Sequence, residues 1–123
     1  MMNDSPAYNS VAVILPELQR QFTDRVSVDP EILNDHGHDV SRHETQAPQA
    51  VVFPTSTQEV AAIVRLCHQH RVPVIPFGTA TAVEGGVVAI HGGVAIDLMQ
   101  MNSILEVNIS DADATVQAGV TRY

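Results

Sequence analysis

Two short apolar runs, separated by one amphipathic helix, limit the folds that this chain can adopt. The first run, Ala50–Phe53, ends at Pro54, and the second extends from Val72 to Pro76. Both runs are short and rich in β-branched residues, which is typical of buried strands. A strand, a helix and a second strand within about 27 residues predict a compact βαβ unit, and we expect its crossover to be right-handed.

The start and the buried face of the helix between these runs also follow from the sequence. Ser56-Thr57-Gln58-Glu59 is a capping-box pattern, in which the Ser56 hydroxyl accepts from the Glu59 N–H and the Glu59 carboxylate reaches back. We expect the helix to end at His68-Gln69-His70. Four apolar residues at helical spacing are predicted to share one face of the helix: Val60, Ile63, Val64 and Cys67.

The segment before the βαβ unit is predicted to be helical and then irregular. Residues 8–22 have apolar side chains at helical spacing, with Pro16 as an interruption. Asp29-Pro30 is typical of a helix start, with Asp as N-cap and Pro in the first turn, and we expect that helix to end near Asp35. We treat residues 1–47 as an N-terminal helical and irregular segment.

The segment after the unit adds three predicted strands, at residues 94–98, 104–108 and 114–118, with a turn over residues 110–113. We therefore predict an α+β fold, with a small parallel or mixed sheet and flanking helices around the βαβ core. Residues 48–123 form its second part.

Charge and composition exclude several classes of partner. The 123 residues include 14 acidic residues and six arginines without any lysine, so the net charge is −8. Such a chain repels nucleic acid, and it has no apolar run long enough to span a membrane. The lone Cys67 fits a reducing compartment, and Met1–Pro6 lacks the features of a signal peptide. We expect a cytoplasmic protein.

The loop that follows the second apolar run is the main candidate for a ligand site. Five of the seven glycines lie within residues 78–93, and the Rossmann and P-loop spacings are both absent. Glycine at positions 78, 85 and 86 permits positive φ and close approach to the backbone, and Thr79 and Thr81 add hydroxyl groups. The loop either binds a phosphate through its backbone N–H groups or is a structural turn.

The other polar residues allow weaker interpretations. His36, His38 and His43 form either a metal site or a polar surface loop. His91 could lie near a ligand, and Asp97 could cap the loop after its strand. No nucleophile or general-base arrangement is present in the sequence, so we assign no catalytic residue.

A set of motifs from residue 36 onward resembles the N-terminal part of the FAD-binding domain of the vanillyl-alcohol oxidase and p-cresol methylhydroxylase superfamily. Within it, the chain is most similar to the FAD-linked D-lactate dehydrogenase (cytochrome) and glycolate oxidase flavoprotein group. The motifs are His36–Ser41, Pro48–Pro54, Glu59-Val60, Val72–Thr79, Glu84-Gly85, Gly92–Leu98, Met101-Asn102 and Gln117–Thr121. The resemblance implies that residues 48–123 are a truncated N-terminal subdomain of such an FAD-binding domain.

The resemblance implies that the loop binds the FAD pyrophosphate through its backbone N–H groups and that the segment around Gly119 approaches the cofactor. The family usually has Gly where this chain has Ala80, Ser where it has Ala82, and Pro where it has Ala118. Ala80 disfavours positive φ, and Ala82 removes a hydroxyl. The implied cofactor-binding residues are Pro76, Phe77, Gly78, Thr79, Ala80, Thr81, Ala82, Gly85, Gly86 and Gly119.

The same resemblance implies the FAD-binding part of a 2-hydroxy-acid oxidoreductase that acts on D-lactate-like or glycolate-like substrates. Family members are several times longer, and the substrate domain would follow Tyr123, so we expect no turnover by this chain alone. The alternative is a non-enzymatic module, either a degenerate nucleotide-binding fold or a homo-oligomer assembled through exposed sheet edges.

Overall fold

The computed structural model describes residues 7–122, and it contains a mixed α+β fold with two sheets. The expectation about Met1–Pro6 lies outside the described residues. The helices are α1 (Leu15–Phe22), α2 (Pro30–Asp35) and α3 (Thr57–Gln69), and short 3-10 turns at Val11–Val13 and Thr23–Arg25 flank α1. The strands are β1 (Val26–Ser27), β2 (Ala50–Val52), β3 (Val74–Phe77), β4 (Val94–Asp97), β5 (Ile104–Asn108) and β6 (Asp113–Val116).

The main sheet has the strand order β1-β2-β4-β3. Strand β4 lies in its middle and is parallel to both neighbours, with Ala95 aligned with Val51 on one side and Ile75 on the other. Strand β1 pairs antiparallel with β2 and had not been predicted, because two residues are too few to carry an alternating pattern. The predicted α+β class with a mixed sheet is confirmed, while β4 separates the two strands of the βαβ unit.

One core joins the N-terminal segment to the sheet. Pro16 does not interrupt α1 but lies in its first turn, where a proline costs no hydrogen bond. Helices α1 and α3 contribute buried side chains to the same cluster as β2 and β4, so residues before and after position 47 share a core. Its members are Val11, Ile14, Leu18, Phe22, Ala50, Val52, Ile63, Cys67, Val72, Val94 and Ile96.

Helix α3 begins as the capping pattern predicts, although only half of the capping box forms. The Ser56 hydroxyl accepts from the Glu59 N–H at 3.2 Å. The Glu59 carboxylate accepts instead from the Thr55 N–H at 2.7 Å and from the guanidinium of Arg25, so the return bond to Ser56 was wrongly predicted. Of the four residues on the predicted apolar face, Ile63 and Cys67 are buried, whereas 42% of Val64 is exposed.

Strands β5 and β6 form a separate antiparallel hairpin. Both strands were predicted, but β6 ends at Val116, two residues earlier than expected. The hairpin exposes apolar side chains to an unusual degree: Ile104, Leu105, Val107, Ile109 and Val116. Among the helices of residues 7–122, none combines the length and hydropathy that crossing a membrane requires.

Candidate functional site

The candidate site begins where strand β3 ends. Phe77 is buried, and its carbonyl accepts a hydrogen bond from the Leu98 N–H at 3.0 Å, just after the end of β4. Pro76 is exposed. Beyond Phe77 the chain leaves the sheet and forms an irregular loop over residues 78–86, at the carboxyl edge of the parallel strands. This edge is where parallel sheets usually bind ligands.

The backbone N–H groups of this loop are available to a ligand. Within residues 7–122, no protein acceptor bonds the amide of any residue from 78 to 84, and the next amide, that of Gly85, donates to Asp39. The hydroxyl oxygens of Thr79 and Thr81 lie 3.1 Å apart. Consecutive unpaired N–H groups with nearby hydroxyls are the groups that hold phosphate oxygens in proteins.

The sequence analysis noted that three loop glycines permit positive φ, and the structure shows positive φ at one of them. Gly78 and Gly86 do not have positive φ, and a Cβ at either position would meet no atom within 4 Å. Gly85 alone of the three has positive φ, at 77°. Ala80 adopts the left-handed conformation that glycine favours, with φ of 58°. Ala80 stands where the family usually has glycine, so its backbone is strained. The space around the position of a Cβ at Gly78, by contrast, is open.

A cleft of about 590 Å³ lies beside this loop. Gly78, Thr79, Thr81 and Gly119 line it, so the structure brings four of the ten predicted residues together from two distant parts of the chain. The other six lie outside the lining: Pro76, Phe77, Ala80, Ala82, Gly85 and Gly86. The cofactor-binding role of all ten stays a prediction.

Packing explains why residue 119 is a glycine. Its N–H donates to the Met101 carbonyl at 2.8 Å, and a Cβ there would lie 2.0 Å from the carbonyl oxygen of Leu98. The chain after β6 can therefore approach the turn after β4 only without a side chain at this position. This close packing holds the segment from Ala118 to Arg122 against the cleft.

Arg122 lines the cleft, although the sequence analysis did not single it out. Among the residues that line the cleft, which all belong to the described part of the chain, it is the one with a charged side chain. An arginine among the residues that line a cleft favours an anionic ligand. The sequence places Arg122 three residues after Gly119, which could have indicated that it lies near the same ligand. An isolated arginine in an acidic chain, however, is not a recognisable anion-binding motif.

The histidines do not form a metal site. No group of three metal-binding side chains comes together within residues 7–122. His36 is buried rather than part of a polar surface loop, because its Nδ1 lies 2.7 Å from the Ile32 carbonyl and its Nε2 lies 2.7 Å from Asp97 Oδ2. Asp97 also accepts from the Met99 N–H, which confirms its structural interpretation. His91 is exposed and stacks against Tyr8.

These observations fit a diphosphate-bearing cofactor. The loop offers N–H groups without protein acceptors, Gly78 leaves its backbone uncovered, and Arg122 contributes a positive charge at the same cleft. A neutral or cationic ligand would leave both the amides and the guanidinium without complementary charge.

The chain matches the model of a family described as "FAD binding domain" over residues 48–123. It is 46% identical to a probable mitochondrial D-lactate dehydrogenase of Danio rerio over 97 aligned residues. This alignment covers 79% of this chain and 20% of that protein. It is 40% identical over 118 residues to a D-lactate dehydrogenase of Anaerostipes hadrus, which covers 92% of this chain and 24% of that protein. The chain thus spans a fifth to a quarter of these relatives.

The fold has a counterpart among solved structures. A structure of p-cresol methylhydroxylase with bound substrate matches with a TM-score of 0.75 and 24% identity, over 92% of this chain and 24% of that one. The family model and the relatives confirm the predicted family and its FAD cofactor, and the match to p-cresol methylhydroxylase confirms the predicted fold. The chain belongs to the FAD-binding domain family.

Proposed function

We propose that this chain supplies the loop that binds the FAD diphosphate in a flavin-dependent oxidoreductase of 2-hydroxy acids, with D-lactate or glycolate as the substrate type. The observation that carries the proposal is the run of backbone N–H groups at residues 78–84, which have no protein acceptor within residues 7–122 and lie beside the cleft. The names of the two D-lactate dehydrogenases support the substrate class.

The residues of this chain bind and orient the cofactor. FAD, when bound, supplies the acceptor for the hydride that leaves the 2-hydroxy acid. The amides of residues 78–84 and the hydroxyls of Thr79 and Thr81 would hold the diphosphate by hydrogen bonds, and Arg122 would offset part of its charge. The methionine side chain at position 99 contributes an apolar part of the cleft wall. We assign no proton transfer to any residue of this chain.

Two matched glycine substitutions test the binding site. Gly78 lines the cleft and Gly86 does not, yet both have ordinary φ and open space around the position of a Cβ. Alanine at either position should leave the midpoint of urea unfolding nearly unchanged. If the diphosphate approaches the loop most closely where the loop lines the cleft, Gly78→Ala raises the Kd for FAD about tenfold, while Gly86→Ala raises it clearly less.

The measurement is a titration of the purified chain with FAD, followed by quenching of flavin fluorescence. Equal Kd values for the Gly78→Ala and Gly86→Ala variants would indicate that FAD binds outside the cleft. The absence of quenching by the wild-type chain, even at high micromolar FAD, would overturn the proposed function of this chain while leaving its family membership intact.

Self-association is a second candidate function, and one observation favours it. The β5–β6 hairpin exposes Ile109 at 89% and Leu105 at 62%, and several exposed apolar side chains on one hairpin favour a contact with another protein. We propose that two copies associate through these hairpins. Light scattering should then show a dimer, and Leu105→Ser should shift it to monomer; a wild-type monomer at high concentration contradicts the proposal.

We also propose a cytoplasmic location, which the single, buried Cys67 supports. Burial raises the pKa of this thiol to about 11, so the thiol stays protonated and unreactive. The Danio rerio relative is named as mitochondrial, and that compartment is the rival. Cell fractionation with an antibody to this chain separates the two.

A further inference from the structure

One short segment before the sheet contacts the loop at both of its ends. Residues 36–43, which we call the brace, follow helix α2 and pass along the loop of residues 78–86. Two independent sets of contacts fix the start and the end of the loop, whereas the amides between them have no acceptor in the described chain. The inference below rests on the proposed function of that loop.

The first contact holds the start of the loop. The ring of His36 lies 4.4 Å from the ring of Phe77, measured between centroids, and 5.9 Å from that of Phe53 in an edge-to-face arrangement. Both ring nitrogens of His36 are engaged, one with the Ile32 carbonyl and one with Asp97. Because the imidazole cannot rotate without breaking both bonds, Phe77 packs against a fixed surface. The first loop residue, Gly78, follows directly.

The second contact holds the end of the loop. Oδ2 of Asp39 accepts from the Gly85 N–H at 2.9 Å, and the Val40 N–H donates to the Ala82 carbonyl at 3.0 Å. The other carboxylate oxygen, Oδ1, accepts from the Ser41 N–H at 2.8 Å, which orients the Asp39 side chain. The loop is thus bonded to the brace through one side chain and one main-chain amide.

His43 completes this end of the brace. A Cβ at position 85 would lie 2.3 Å from Cδ2 of His43, so the imidazole packs directly on the Gly85 backbone. The hydrogen bonds from Ser41 lower the pKa of the Asp39 carboxyl, and the bond from Gly85 adds to this effect. The carboxylate is therefore ionised at neutral pH and remains an acceptor for the Gly85 N–H.

We propose that the brace holds the loop in its anion-binding conformation before the ligand arrives, with Asp39 and His36 as positioning residues. A free loop of this length would lose conformational entropy when it binds, and fixing its ends beforehand reduces that loss. Asp39 does not contact the cleft, since it is not among the lining residues, so its effect on binding passes through Gly85.

The test compares Asp39→Ala with Asp35→Ala. Asp35 is an exposed carboxylate at the end of α2, four positions earlier, and removing it changes the net charge equally without touching the loop. We expect Asp39→Ala to raise the Kd for FAD about tenfold, which corresponds to the loss of one hydrogen bond to a charged group. Asp35→Ala should leave Kd unchanged. Asp39→Asn should fall between wild type and Asp39→Ala, because its one amide oxygen can still accept from Gly85.

A second readout does not require FAD. In the ligand-free chain, ¹⁵N relaxation should give backbone order parameters for residues 78–84 in the rigid range, and Asp39→Ala should lower them below those of Asp35→Ala. Equal order parameters in the two variants would overturn the brace. If the wild-type chain fails to bind FAD, the proposed function fails, yet the relaxation comparison still decides the role of the brace.

The start of the loop needs a substitution that preserves folding. Phe77→Leu keeps a buried apolar side chain but removes the ring contact with His36. We expect lower order parameters at Gly78 and Thr79 and a several-fold weaker affinity for FAD. Ile63→Val, which trims a buried core residue of α3, is the control for a general loss of stability. An identical loop response in both variants would contradict positioning by His36.

Discussion

Nη1 of Arg25 lies 2.7 Å from Oε1 of Glu59, and this ion pair joins the turn before β1 to the first turn of α3. The hydrogen bond from Arg25, together with bonds from Thr55, lowers the pKa of Glu59 to about 2. A carboxyl whose pKa is lower in the folded state stabilises the fold above its unfolded pKa, and the contribution is lost as pH falls.

The first prediction is therefore a loss of stability on acidification. As pH falls from about 5 to about 2, Glu59 should contribute about 1–2 kcal/mol less to the free energy of unfolding, allowing for the partial exposure of the pair. Urea unfolding followed by circular dichroism measures this. The Glu59→Gln variant should show a smaller dependence over the same interval; an unchanged dependence would assign the acid sensitivity to other carboxyls.

The second prediction concerns the backbone strain at Ala80. Alanine at positive φ is less stable than glycine by about 1 kcal/mol, so Ala80→Gly should raise the free energy of unfolding by that amount. Ala112, in the turn of the hairpin, has a similar φ of 56° and is the matched control. Both substitutions should stabilise the chain, but only Ala80→Gly should change the Kd for FAD. A change of Kd in Ala112→Gly would mean that the effect is not local to the loop.

The third prediction concerns Gly119. An alanine Cβ would lie 2.0 Å from the Leu98 carbonyl oxygen, and backbone atoms cannot move aside cheaply. We expect Gly119→Ala to destabilise the chain by about 3 kcal/mol or more, and the cleft to open with it. Thermal unfolding provides the measurement, with Gly78→Ala as the tolerated comparison. Equal melting temperatures for the two variants would contradict the close packing.

The fourth prediction separates two roles of Asp97. The Ile32 carbonyl can only accept, so Nδ1 of His36 carries a proton, and Nε2 can accept from an amide placed at position 97. In the Asp97→Asn variant, the side-chain amide can donate to Nε2 of His36 and its oxygen can still accept from the Met99 N–H. This variant should lose less than about 1 kcal/mol of the free energy of unfolding. Asp97→Ala removes both bonds from a buried site and should cost about 2–3 kcal/mol. Equal losses in urea unfolding would show that the negative charge itself is needed.

Local patterns predicted the elements of this fold well. The start of α2 at Asp29-Pro30, the start of α3 at Ser56 and the strands β2 to β6 all depend on neighbouring residues, so the sequence shows them directly. The loop after β3 could be predicted as a ligand site for the same reason. Its glycines, small residues and position after an apolar strand lie within one short stretch.

The remaining features depend on contacts between distant residues. His36 and Asp97 are 61 positions apart, and nothing near either residue indicates that they meet. The brace, the requirement for Gly119 and the presence of Thr79 and Arg122 in the lining of one cleft likewise arise from packing of separate segments. The two-residue strand β1 was missed because its pairing with β2 determines it, rather than its own sequence.

The central position of β4 determines when this fold can form. Strands β2 and β3 each pair with β4 and not with one another. Until the chain has been synthesised to residue 97, the edges of β2 and β3 that will pair with β4 therefore have no partner strand. A ribosome that has released only the βαβ unit has therefore released two strands whose inner edges are unprotected. We expect chaperones to bind this nascent chain at its unpaired strand edges. Once Val94–Asp97 has been synthesised and pairs with both strands, that binding should no longer be needed.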